Sequence, residues 1–172
     1  MSRIAEMLDY IKEDMEKELE EWKLEIVDFS DVKVVEVLES LKTEVKTDVA
    51  SIVITYLRSS YITGIHQFKV ALYENEPFIC EPTLYRMIDM TPLYKGVLET
   101  FDKFIRKIKS EFIHVFYHEV EEIRRFYMEY LYQNSYLFFE SEAVKKEDGE
   151  GSIPIYYGEE MGEIEQIGVI GR

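Results

Sequence analysis

The chain is poor in the residues that mark several classes of protein. One cysteine, Cys80, stands among 172 residues, so no disulfide framework forms within the chain and a reducing compartment fits. Cations are scarce: 20 Lys and Arg face 35 Asp and Glu, for a net charge of −15. That deficit argues against a phosphate-binding surface, because nucleic-acid binders carry a basic patch or stripe. It argues equally against anionic membrane surfaces. Long apolar runs are missing as well. The longest, around residues 49–57, is far too short to span a bilayer. The first residues lack the basic-then-apolar order of a signal peptide, so the expectation is a cytoplasmic protein. Neither a Gly-x-Gly-x-x-Gly fingerprint nor a Walker A loop occurs, nor a Gly-x-Ser-x-Gly elbow. The glycine-bearing linker near residue 148 lacks the spaced ligands of an EF-hand.

What is abundant is aromatic and acidic. Thirteen Tyr and ten Phe stand against a single Trp, and hydrophobic residues make up 47% of the chain. Such a chain can bury a real core within one domain, and its aromatic faces can bury against one another or in an oligomer. The acids are spread through every segment, which suits a solvated surface and permits a basic protein partner.

Periodicity predicts helices. Residues 2–26 carry Ile4, Met7, Leu8, Ile11, Met15, Leu19, Trp22 and Ile26 at helical spacing. Asp28 or Ser30 is the expected cap of the next helix. Residues 31–73 place Val34, Leu38, Leu41, Val45, Val49, Ile52, Val53 and Tyr56 on one stripe. That stripe turns polar at Ser60, Thr63 and Gln67, with Gly64 weakening the helix between them. Residues 74–91 hold Asn75, Pro77 and Pro82 and read as a connection. Thr91-Pro92 then reads as a helix start, opening an apolar stripe that runs over 92–142. The expectation is an all-α fold, an elongated bundle of three to four main helices over residues 1–144. A polar linker follows at 145–152, and a small C-terminal β-hairpin or tail at 153–172.

One residue breaks this pattern. At about 100° per residue, Glu119 falls within the face built by Phe112, Val115, Ile123 and Phe126. A buried carboxylate costs several kcal/mol or so unless it is paired, hydrogen-bonded or protonated. Tyr56, Tyr61, Ser60, Thr63 and Gln67, on or near the inner face of the second segment, are its candidate partners. Glu119 with Ser60, Thr63 and Gln67 forms the candidate binding site. Glu111-x-x-His114 and His118 invite a metal reading with His66, in the manner of carboxylate-bridged helical bundles. The projection turns His114 and His118 towards the polar side, however, so no metal site and no cofactor is expected. Cys80 has no evident activating base.

These observations favour a non-enzymatic interaction or regulatory domain that binds a protein partner or a second copy of itself as a homodimer, with neither nucleic acid nor membrane. The competing expectation is a helical-bundle ligand binder or enzyme with a polar pocket around Glu119.

Overall fold

The computed structural model describes residues 2–27, 34–44, 48–57, 59–77, 79–143 and 152–170. The architecture is mixed α/β, which corrects the all-α expectation. Helices α1 (Arg3–Val27) and α2 (Val34–Glu44) precede strand β1 (Ser51–Tyr56), a single helical turn α3 (Ser60–Thr63), and strands β2 (Gln67–Tyr73) and β3 (Leu84–Asp89). A 3₁₀ turn at Thr91–Tyr94 leads into α4 (Val97–Glu111), α5 (Tyr117–Asn134) and α6 (Tyr136–Ala143), and the chain ends in β4 (Ile153–Glu159) and β5 (Ile164–Ile170). The strands form one five-stranded sheet in the order β3-β2-β1-β4-β5. β4 runs parallel to β1, and the other neighbours are antiparallel.

The physical reason for the correction lies in β1. It is the central strand, and all six of its residues are buried. A strand covered on both faces shows no alternation, so it reads as a continuous apolar run that helical spacing also fits. Its Ser-Ile-Val-Ile-Thr-Tyr composition is rich in the β-branched and aromatic residues that strands favour. β2 is flipped by the same logic: Phe68, Val70 and Leu72 face the helices while Ala71 and Tyr73 face the other way. β3 lies in the stretch expected to be a mere connection. The caps expected at Asp28 or Ser30, and residues 145–151 of the expected linker, lie outside the described residues.

The helices cover one face of the sheet. Met7, Ile11, Leu19 and Trp22 of α1 join Leu38 and Leu41 of α2 and the inward residues of α4, α5 and α6 in one core with Ile52, Ile54, Phe68, Val70, Leu72 and Ile155. α1 packs on α4, α5 and α6, and its Trp22 Nε1 donates to the Leu93 carbonyl at 3.0 Å, tying the helix to the 3₁₀ turn. The opposite face has only a small cluster, Val53, Ala71 and Tyr73, flanked by Tyr156 and Ile164. No helical residue among those described belongs to that cluster.

The stripe over 92–142 is broken three times, first at extended Lys95 and left-handed Gly96 (φ 87°), between the 3₁₀ turn and α4. Phe112 is extended and His114 adopts φ 56°, which ends α4 before α5 begins at Tyr117. Ser135 separates α5 from α6. A single helix of that length would span ~75 Å, and the breaks fold it back onto α1. Among the described residues no helix is long and apolar enough to cross a membrane.

Candidate functional site

Glu119 is buried, 5% exposed, at the third position of α5. Its Oε2 accepts the Phe116 backbone N–H at 2.8 Å, closing half of a capping box. Its Oε1 lies 3.5 Å from Arg3 Nη1 of α1. Arg3 also donates to the carbonyls of Ile113 and His114, the latter at 3.1 Å. One guanidinium thus fastens the start of α1 to the α4–α5 turn, and Glu119 balances it. Phe116, in the N-cap position, has no side-chain acceptor to complete the box, which hides the familiar Ser/Thr-x-x-Glu pattern from a sequence reading.

Ser60, Thr63 and Gln67 sit elsewhere. Ser60 is buried and hydrogen-bonds the Tyr132 hydroxyl. Thr63 is exposed and donates its hydroxyl back to the Ser59 carbonyl at 3.1 Å. Gln67 opens β2 opposite Asp89. Tyr132 follows Glu119 by thirteen residues on the same helix, a separation of about 20 Å at 1.5 Å per residue. The structure therefore keeps Ser60 near the far end of α5, away from Glu119.

Around that far end lies a buried polar network. His66 Nδ1 and the Tyr132 hydroxyl are hydrogen-bonded at 2.6 Å. The His66 ring stacks on Tyr94 with centroids 4.2 Å apart, and the Tyr94 and Ser135 hydroxyls bond at 2.6 Å. Ser135 also donates to the Leu131 carbonyl. Burial pushes the His66 pKa down to about 4, and the nearby Asp89 carboxylate opposes that shift. Burial raises the Tyr132 phenol. His66 is therefore a neutral core ring at physiological pH. His114 and His118 are exposed at the α4–α5 turn, with His118 about 21 Å along α5 from Tyr132. The three histidines do not converge.

The Tyr132 ring stacks on Tyr56, with centroids 5.2 Å apart and planes 12° from parallel. The Tyr157 hydroxyl donates to the Tyr132 carbonyl. Tyr56 and Tyr157 are walls of a cleft of about 660 Å³ between the β4–β5 hairpin and the α5–α6 corner, within the size range of ordinary ligand sites. Helices α5 and α6 supply Glu129, Gln133 and Tyr136. The hairpin supplies Gly158, Glu159, Glu163, Glu165, Gln166 and Ile167. Among the described residues, four carboxylates and three tyrosines line this space without one Lys, Arg or His. Glu129, Glu163 and Glu165 have no ion pair among the described residues. The mouth of the hairpin is tight: a Cβ on Gly158 would overlap the Glu163 carbonyl oxygen and stand 2.9 Å from Ile164 Cα. Only glycine lets the two strands approach there.

Sequence reasoning missed this cleft. Its acids are spread over 36 positions, from Glu129 to Glu165, and converge only because β4 crosses over to pair with β1. The one local signal was the carboxylate-rich hairpin itself. Comparison with known protein families, curated proteins and solved structures gave no match for this chain.

Proposed function

We propose that this protein is a non-enzymatic binding module that receives cationic side chains of a partner protein in the cleft between the β4–β5 hairpin and the α5–α6 corner. The observation that carries this reading is the cleft's lining, where Glu129, Glu163 and Glu165 stand beside tyrosines with no ion pair among the described residues. Carboxylates gathered at one concave surface repel each other, and a guanidinium or ammonium relieves that repulsion on entry. The partly exposed Tyr136 ring adds cation–π attraction of about 0.5–2 kcal/mol, depending on how dry the contact is. The net charge of −15 steers a basic partner towards the molecule. His66, the buried base, bonds Tyr132 behind the Tyr56 wall and is not part of the cleft lining.

Titration of the full chain with an arginine-rich peptide, followed by calorimetry at low and high salt, tests the proposal. Binding is expected to weaken with salt and to fall about tenfold or more, a change of ~1.4 kcal/mol, when Glu129, Glu163 and Glu165 are together changed to Gln. Equal affinity for the triple variant overturns the reading, as does indifference to the peptide's charge.

A further inference from the structure

We propose that the partner docks by strand addition: an extended basic segment pairs with the outer edge of β5 and drops every second side chain into the cleft. This rests on the cation-binding reading above and gives it a geometry. β5 is the last strand of the sheet. Its ladder to β4 uses one side of its backbone, and among the described residues no backbone partner occupies the other side. Over Ile164–Ile170 it has neither Lys nor Pro, and the devices against edge pairing that it does carry are the Glu165 charge, which a basic segment matches, and the bulge at Ile167. Each edge strand has a helix packed against it, α2 on β3 and α6 on β5, and at β3 charged side chains add to that cover: Arg86 pairs with Glu44 at 2.6 Å, and Lys69 lies over Tyr85.

Side-chain alternation links the β5 edge to the cleft. Glu165 stands opposite Tyr157 on the cleft face, and Ile167 packs towards the main core on the same face. Between them the register shifts: Ile155 pairs with Gly168 while Tyr156 pairs with Gln166, which leaves Ile167 as the extra residue of a bulge. A bulge bends its strand, so the regular part of the edge is the half that borders the cleft. A residue laid directly across from Glu165 brings its Cβ to within about 5 Å and pairs on the same face. The segment that fits therefore carries a base opposite Glu165, a second base two residues away towards Glu163, and an apolar residue towards Ile167. The pattern is basic-x-basic-x-apolar along β5. The same carboxylates set like charges on the edges of two copies brought together, which disfavours pairing of β5 with itself.

Three synthetic peptides of one composition test the mode with the full chain. One alternates its basic residues, one gathers them in a block, and one alternates them but carries N-methyl groups on the amides that would face β5. The alternating peptide is expected to bind about tenfold tighter than either of the others and to slow hydrogen exchange at those backbone amides of residues 164–166 that point away from β4. Equal binding of all three, with the loss on changing Glu129, Glu163 and Glu165 to Gln retained, overturns strand addition and leaves the cation-binding cleft standing. Failure of every peptide to bind overturns both. A doubled mass with protected 164–166 amides in the absence of peptide also overturns the proposal, because the edge is then taken by a second copy.

Discussion

The two ends of α5 handle their carboxylates in opposite ways. At the first turn Glu119 is buried, yet a backbone N–H at 2.8 Å and a guanidinium at 3.5 Å answer its charge from within the chain. Near the last turn Glu129 faces Glu163 and Glu165 across a cleft lined, among the described residues, by no base. The first arrangement is complete as it stands and does structural work. The second concentrates charge of one sign at a concave surface, where a cation from outside lowers the energy most. An out-of-place carboxylate is thus a poorer guide to function than a group of carboxylates gathered at one concave surface.

The largest test of this contrast bears on the network behind the cleft wall. The unfolded chain protonates His66 near its ordinary 6.5, whereas the folded chain resists until about 4. The unfolded state binds the extra proton between those values, so stability falls as pH drops from about 6.5 to about 4, by ~3 kcal/mol in all. Asp89, whose carboxyl is held low by its bonds to Thr91, adds a loss only at still lower pH. Chemical denaturation at a series of pH values is expected to show that slope, and His66→Gln is expected to flatten it. An unchanged slope in the variant means the buried network does not carry the pH response.

Tyr132→Phe is the next step down. It leaves the ring that stacks on Tyr56 but strips the partner from His66 Nδ1 and from Ser60. The cost is expected at about 1–3 kcal/mol for the stranded polar groups, read as a lower denaturation midpoint at unchanged slope. A neutral result places the hydroxyl outside the determinants of this end of the helix.

How much of this was legible in the sequence depended on the range of the signal. The amphipathic spacing of Met7, Ile11, Leu19 and Trp22 marks α1 directly, because a helix covered on one side records its burial in its period. β1 leaves no such record, since burial on both faces erases alternation. The burial of Glu119 could be read from the stripe, but its cause could not. The turn at residues 112–116 restarts the helix, and Arg3 arrives from more than a hundred residues away. The cleft was the least legible feature. Glu129 and Glu165 become neighbours only through the parallel pairing of β4 with β1, a tertiary event with no local code.

The smallest effects separate the two kinds of carboxylate most cleanly. Glu119→Ala removes a cap from α5 and leaves Arg3 facing the turn carbonyls alone, which is expected to cost about 1–2 kcal/mol. Glu119→Gln keeps an oxygen for the Phe116 N–H and loses only a half-exposed ion pair, so under about 1 kcal/mol is expected. Glu129→Gln, Glu163→Gln and Glu165→Gln remove charges that make no ion pair among the described residues. Each is expected to shift stability by within ~0.5 kcal/mol, upward where it relieves repulsion at low salt, while weakening capture of a basic peptide. Thermal denaturation of the four glutamine variants side by side gives the ordering. If a cleft variant destabilises the fold more than Glu119→Gln does, its carboxylate is a structural support and the contrast between the two ends of α5 fails.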